Sequence, residues 1–259
     1  MPFWLTLTRM SRLSGAFCHL VTLVLLGLLL CLRSPTPVFS ASGLMLSKSL
    51  PHYGEEMEFY YLKPRPDMLA DLLKFLNSSG VLAHNEKQLM TAAFFAALAM
   101  ENKLDLEKFA FQASGLGRDA SRTMAWSAHL ARHKSEQSLL ATLLNNDNAF
   151  LARQIANSPA PLGNWDILAE PSVMHMYWGA FMATGKYIWL DRIIGASLLY
   201  GRLETQGLWR QRGYEVGRAA ASSLYEFAPR HPLVKMRLEY FLANSKGIDE
   251  KTLRKILRK

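Results

Sequence analysis

The sequence predicts an all-α protein, in which antiparallel helix pairs form either an irregular bundle or a short TPR-like α-solenoid. Apolar residues recur at helical spacing from residue 67 almost to the end, and capping residues, prolines and glycines divide this region into short segments. No stretch shows the sustained apolar–polar alternation of a strand. With 50% hydrophobic and 20% charged residues, the 259-residue chain is neither disordered nor a multi-span membrane protein.

Residues 1–40 are predicted to be a signal peptide or an N-terminal membrane anchor. Arg9 and Arg12 precede an apolar stretch over residues 13–32, and prolines and small residues follow, which suits a secretory signal cut before Ala41. An uncleaved anchor is the main alternative, because about 20 apolar residues just span a bilayer. A buried helix is the third interpretation. Signal and anchor both place the rest of the chain outside the cytoplasm.

The cysteines and charges fit a periplasmic or secreted protein. Cys18 and Cys31 both lie in the apolar stretch, so a cleaved chain has no disulfide and no thiolate metal site. Without residues 1–40 the chain has 27 basic and 21 acidic residues, a net charge of +6 that suits an acidic partner or an anionic membrane surface. The sequence leaves open whether Met1 or Met10 is the true start and whether the signal is cleaved.

The remaining chain is interpreted as a linker or irregular lead-in over 41–66 and a helical domain over 67–259, with a sub-boundary near 158–164. Within the lead-in, residues 57–62 are expected to form a short strand or to pack as an aromatic clasp. Helices are expected over 67–76, 85–100, 105–115, 119–133, 135–144, 148–157, 171–184, 187–203, 210–227, 232–243 and 249–258.

Local signals support several of these boundaries. Asn85 and Asp105 are expected to cap helices, Pro171 suits a first helical residue, and Gly185 is a natural stop. The run 89–100 is apolar on all sides, which predicts a central buried helix that is too short to span a membrane.

A family resemblance accompanies this pattern. Residues 177–185 (Tyr-Trp-Gly-Ala-Phe-Met-Ala-Thr-Gly), followed by Tyr187, Ile193, residues 219–224 and the His-Pro-Leu-Val at 231–234, resemble an uncharacterised family of exported bacterial helical proteins. The resemblance covers about residues 60–245. It implies an all-helical fold and bacterial export, and it implies no activity.

The spacing closest to a metal site is His129 and His133, with Glu136 nearby. At i and i+4 both imidazoles share one helix face, but Arg132 and Lys134 oppose a cation, so a solvated helix end is the favoured interpretation. We predict no metal and no cofactor.

Two further segments are assigned structural roles. His175 lies between two methionines, but adjacent helical residues point apart, so we expect a hydrogen-bonded histidine at the edge of the core. Gly117 and Arg118 belong to a glycine-containing segment that is interpreted as a helix end and turn rather than as a phosphate loop.

The aromatic residues provide a candidate partner-binding groove. Trp178, Phe181, Trp189 and Tyr200 form a set that either packs in the core, as aromatic residues at helical spacing usually do, or lines a groove for a peptide helix.

The C-terminal segment is a candidate membrane-surface element. Lys251, Arg254, Lys255 and Arg258 lie on one predicted helix with an apolar face, which suits an anionic bilayer surface. The alternative is a terminal helix that caps the bundle and keeps its basic face in solvent.

No sequence motif specifies a reaction. The predicted function is therefore that of a non-enzymatic, extracytoplasmic helical scaffold or adaptor that binds a protein partner. One alternative is an envelope-associated hydrolase whose Asp, Glu and His residues converge only in the fold. Another is a peripheral membrane protein that uses its basic C-terminal helix. Nucleic acid is not an expected partner, and the oligomeric state is left open.

Overall fold

The computed structural model describes residues 51–144 and 148–258, so the predicted export segment over 1–40 lies outside the described residues. Within these ranges all regular structure is helical, in twelve α-helices and three short 3-10 turns, which confirms the all-α prediction. The α-helices are α1 Pro51–Glu58, α2 Leu69–Ser78, α3 Asn85–Met100, α4 Leu106–Leu116, α5 Arg118–Leu130, α6 Glu136–Leu144, α7 Ala149–Ala156, α8 Pro171–Thr184, α9 Tyr187–Thr205, α10 Tyr214–Phe227, α11 Pro232–Asn244 and α12 Gly247–Leu257.

Most of the predicted helix ends are set by the expected local signals. The Asp105 carboxylate accepts the backbone N–H of Lys108 at 3.1 Å and caps α4. Pro171 is the first residue of α8, and Gly185 ends that helix in the left-handed conformation at φ 67°. Asn85 differs from the prediction, because it is the first residue of α3 instead of its cap.

Two helices, α3 and α8, form the centre of the packing. Eleven consecutive residues of α3 and twelve of α8 are buried, which confirms the prediction of a central buried helix and adds a second one. The two helices run parallel, because Glu86 approaches His175 and Met90 faces Gly179 in the same register. Gly179 permits this approach, since a side chain there would collide with the Met90 backbone.

The outer helices pack around this pair. Helix α5 packs on α3, helices α4 and α6 pack on α5, and α9 packs against α8. Helices α9 and α10 form an antiparallel hairpin, in which Gly217 lies against the backbone of Ala196 and Tyr200 contacts Tyr214. Helix α12 packs on α9, α10 and α11, where its Leu253 and Ile256 are buried. Among the described residues, no helix has both the length and the apolar character needed to cross a membrane.

The described part of the lead-in is helical and packed. Helix α1 occupies its first eight described residues, and Met57 and Tyr60 are buried in the core. The backbone N–H of Tyr61 donates to the Met182 carbonyl at 3.0 Å, and the Tyr61 ring lies 5.1 Å from that of Phe181. Residues 57–62 therefore pack as an aromatic clasp and do not form a strand.

The loop over the predicted sub-boundary at 158–164 is tied to the bundle. It contains a cis peptide bond between Ala160 and Pro161. The Ser158 carbonyl accepts a hydrogen bond from the buried ring of His129 on α5 at 3.1 Å. This contact fixes the path of the chain from α7 towards α8.

Candidate functional site: a basic groove beside the C-terminal helix

A groove of about 540 Å³ opens between α9, α10 and α12. We refer to it as the C-terminal groove. It is formed where small residues of α10 face the last turns of α12. Its lining residues are Tyr200, Arg218, Ala221, Ser222, Tyr225, Thr252, Lys255, Ile256 and Arg258.

The floor of the C-terminal groove is mainly apolar. Tyr225 is 40% exposed, Tyr200 is half-buried, and Ile256 is buried where α12 meets the bundle. Ala221 contributes only a methyl group, so the space between the two tyrosines stays open. The floor can therefore accept apolar side chains or an acyl chain.

The rim of the C-terminal groove is cationic. Arg218, Lys255 and Arg258 line it, and none of its lining residues is a carboxylate. Arg218 pairs with Glu215 at 2.5 Å, and Lys255 lies 3.8 Å from Glu204, so these two charges are partly balanced by neighbours outside the lining.

Two contacts hold the side chains that border the groove. The Arg258 guanidinium carbon lies 4.0 Å from the centroid of the Tyr225 ring, a cation–π contact. The Tyr200 hydroxyl donates to Glu204 at 2.5 Å. Burial and this carboxylate raise the pKa of Tyr200, so its hydroxyl stays protonated as a donor.

A second hollow of about 340 Å³ extends the groove past the last turn of α12. It shares Ile256 and Arg258 with the C-terminal groove, and Lys235 of α11 adds a further cation. Its remaining lining residues are Ala228, Pro229 and Leu257. Together the two hollows border the last turn of α12 on both sides.

The structure separates the four residues predicted for partner binding. Trp178 and Phe181 have no exposed surface, and Trp189 is only 7% exposed. The Trp178 indole donates to the Ser223 hydroxyl at 3.1 Å inside the core. Tyr200 is the member of this set that lines the C-terminal groove.

The four basic residues predicted for a membrane surface are all exposed, three of them on α12 and Arg258 directly after its last residue. Lys255 and Arg258 line the C-terminal groove, whereas Lys251 lies outside it and Arg254 pairs with Glu250 at 2.9 Å. The apolar residues of the helix pack against the bundle, so α12 presents charge but little apolar surface.

Sequence reasoning missed Arg218, Tyr225 and Ile256 as groove residues. One signal was present: residues 219–223 are all alanine or serine, between the large side chains of Arg218 and Leu224. Such a run leaves space on a helix face, but only the position of α12 turns that space into a groove.

A buried Glu–His–Tyr cluster is the arrangement most similar to catalytic machinery. The fully buried His231 ring contacts a Glu58 carboxylate oxygen through Nε2 at 2.9 Å and the Tyr61 hydroxyl through Nδ1 at 3.2 Å. Arg230 also pairs with Glu58 at 2.8 Å, and the Phe59 ring stacks on His231 at 4.5 Å. The Glu58 carboxylate, the His231 imidazole and the Tyr61 hydroxyl thus form a continuous chain of polar contacts.

The electrostatics of this cluster favour a structural role. Burial, together with the charge of Glu58, raises the pKa of Tyr61 to about 12, so the phenol stays protonated and is a poor nucleophile. His231 is covered by Phe59 and Phe227 and has no surface for a substrate to touch. The contacts join α1 to the start of α11.

The histidines considered for metal binding use their ring nitrogens for protein contacts. His129 contacts Glu136 through Nδ1 at 2.7 Å and the Ser158 carbonyl through Nε2 at 3.1 Å. His133 accepts the backbone N–H of Ser135 at 3.2 Å. In the described part of the chain, no three His, Cys, Asp or Glu side chains are grouped closely enough to hold a metal.

His175 is buried beneath the first turns of α3. Its Nδ1 lies 3.5 Å from a carboxylate oxygen of Glu86 but forms no hydrogen bond. Burial lowers the pKa of His175 to about 4, and the positive charge of Lys87 adds to this effect. The effect of burial on the pKa outweighs the attraction of the Glu86 carboxylate, so His175 is neutral at pH 7.

The glycine-containing turn before α5 borders a polar hollow of about 690 Å³. Gly117 (φ 115°) joins α4 to α5, in agreement with the turn predicted there. Ser114, Arg118 and Ser121 contribute to the lining. The hollow also reaches Asn148, which adjoins residues outside the described ranges.

No protein-family model, curated protein or solved structure matches the chain.

Proposed function

We propose that this protein is an extracytoplasmic helical adaptor that binds an acidic amphipathic helix of a partner protein in the C-terminal groove. The single observation that carries the proposal is the combination of an apolar floor with a rim of three cations. An amphipathic helix places apolar anchors at i, i+3, i+4 and i+7, and such anchors match a groove floored by Tyr200, Tyr225 and Ile256.

The charge of the rim supports an acidic partner. A helix with Glu or Asp beside its apolar stripe would bring carboxylates to Lys255 and Arg258 on one side and to Arg218 on the other. Complementary charges of this kind accelerate association and discriminate against basic partners. Lys235 in the adjoining hollow extends the same preference past the last turn of α12.

The proposed location depends on the N-terminal pattern of basic residues, apolar stretch and small residues. A reporter enzyme that is active only outside the cytoplasm, fused after residue 60, should be active in bacterial cells. Activity only from a reporter that requires the cytoplasm would contradict this part of the proposal.

The binding proposal is tested with a synthetic probe and the full chain in mild detergent. The probe is a fluorescein-labelled amphipathic helix with leucines at i, i+3, i+4 and i+7 and flanking glutamates, followed by fluorescence anisotropy. A matched peptide carries lysine in place of each glutamate. We expect the acidic peptide to bind and the basic peptide to bind at least about tenfold more weakly, because each exposed charge pair contributes up to about 1 kcal/mol.

Charge-reversal variants locate the interaction. The double variant Lys255→Glu/Arg258→Glu should weaken binding of the acidic peptide about tenfold. Lys251→Glu changes the same charge on the same helix outside the groove and should leave binding nearly unchanged. Equal binding of both peptides, or equal effects of both variants, would contradict the proposal. Binding of anionic vesicles that is lost in the double variant, without peptide binding, would assign the groove to a lipid instead.

A further inference from the structure

We infer that the loop joining α9 to α10, residues 206–213, is a membrane-contact site that places Leu208 and Trp209 in the interfacial region of an anionic bilayer. This site is separate from the C-terminal groove and does not depend on its occupant. It also differs from the basic face of α12, because it combines apolar side chains with positive charge.

The loop is ordered and presents its apolar residues outwards. The Leu208 N–H donates to the Leu203 carbonyl at 2.9 Å, and the Gln211 N–H donates to the Leu208 carbonyl at 3.1 Å. Gly207 has φ 69°, which lets the chain turn away from the end of α9. Trp209 is 64% exposed and Leu208 is 37% exposed. The backbone thus holds two adjacent large apolar side chains in solvent.

The charges in and beside the loop favour an anionic surface. The loop contains Arg210 and Arg212, and the sequence has no acidic residue between Glu204 and Glu215. Arg212 pairs with Asp166 at 2.7 Å, which leaves the exposed Arg210 next to Trp209. Tryptophan favours the boundary between hydrocarbon and headgroups, and basic residues beside it are attracted to anionic lipids.

The size of the apolar patch favours a bilayer over a protein partner. The exposed parts of Trp209 and Leu208 amount to about 200 Å², which is well below the roughly 800 Å² per partner of a stable protein interface. A bilayer interface can accept single side chains without shape complementarity. The loop also supplies exposed apolar side chains, which α12 lacks because its Leu253 and Ile256 are buried.

The test reads the position of the loop directly, because residues 13–32 by themselves would bring the full chain to a membrane. In a Cys18→Ser/Cys31→Ser background, an environment-sensitive dye is attached at Gln211→Cys in the loop or at Gln112→Cys on α4. Both glutamines are exposed. The full chain is mixed with vesicles of equal parts phosphatidylcholine and phosphatidylglycerol, or of phosphatidylcholine alone. We expect a blue shift and quenching by lipid-borne quenchers at position 211 on the anionic vesicles, and not at position 112.

Substitutions connect the signal to the named side chains. Leu208→Ser/Trp209→Ser should remove the response at position 211, whereas Phe111→Ser, which removes an aromatic ring that is 79% exposed on α4, should leave it intact. Arg210→Glu should weaken the response at position 211 about tenfold, because it replaces the attraction between a basic residue and the anionic headgroups with a repulsion. The inference is overturned by no response at 211, by equal responses at 211 and 112, by equal responses on neutral vesicles, or by a response that survives the double substitution.

Discussion

Gly179 is the position where a single methyl group should disturb the fold most. A Cβ atom there would lie 3.0 Å from the carbonyl carbon of Met90, and closer still to its oxygen. Ordinary carbon–carbon contacts are about 3.5–4.0 Å. Because the obstacle is backbone and not a flexible side chain, α3 and α8 must move apart to relieve the contact.

The expected magnitude for Gly179→Ala follows from two opposing effects. Alanine favours the helix over glycine by about 0.5–1 kcal/mol, and forced overpacking of a core costs about 1–3 kcal/mol. The clash involves two helices that are buried along most of their length, so we take the upper end of the overpacking cost. We therefore expect a net loss of about 2 kcal/mol in the free energy of unfolding.

Urea unfolding of the full chain, followed by tryptophan fluorescence and by far-ultraviolet circular dichroism, measures this loss. With an m-value of about 2–3 kcal/mol/M, the unfolding midpoint should fall by roughly 1 M.

Gly195→Ala on α9 is the matched control. Gly195 is exposed, and no other part of the fold would lie within 4 Å of a Cβ atom at that position. The same substitution there should therefore raise stability by about 0.5–1 kcal/mol. A midpoint for Gly179→Ala at or above that of the wild type would refute the reasoning, as would equal losses at both positions.

Two further predictions concern buried ionisable groups. Glu58→Ala leaves the Nε2 of the buried His231 without its acceptor and should cost about 1–3 kcal/mol in urea unfolding. Glu215→Ala removes an ion pair whose Glu215 side chain is 65% exposed, and it should cost less than about 1 kcal/mol. Equal losses of stability in the Glu58 and Glu215 variants would contradict a structural role for Glu58. Because the pKa of His175 is about 4 when folded and about 6.5 when unfolded, stability should fall as the pH drops from 6.5 to 4, by up to about 3 kcal/mol. His175→Gln should flatten that part of the stability–pH curve, and identical curves would show that His175 is not the source.

The helices were predictable because their signals are local. The Asp105 cap, the Pro171 start and the Gly185 stop each act within one turn, and the structure has all three. The start of α10 was not predicted correctly. Helix α10 begins at Tyr214, four residues after the expected start, because residues 206–213 form the exposed loop.

The candidate site was only partly predictable. A stripe of aromatic residues has the same periodicity whether it faces the core or a groove, so Trp178 and Tyr200 were indistinguishable in sequence. The partners of charged residues were equally hard to predict from the sequence. Asp191 of α9 accepts two hydrogen bonds of 2.7 Å from Arg237 of α11, which is 46 positions away, and the neighbouring Arg192 lies over the Tyr177 ring.

The sequence by itself determined that this chain is helical, where most of its helices begin and end, and that α3 is buried, because propensity, caps and apolar periodicity act over a few residues. The tertiary structure decided which side chains meet. Glu58 and His231 are 173 positions apart, and the C-terminal groove requires small residues of α10 to face α12. Such meetings depend on how the helices pack, and that packing is a property of the whole set of contacts rather than of any one segment.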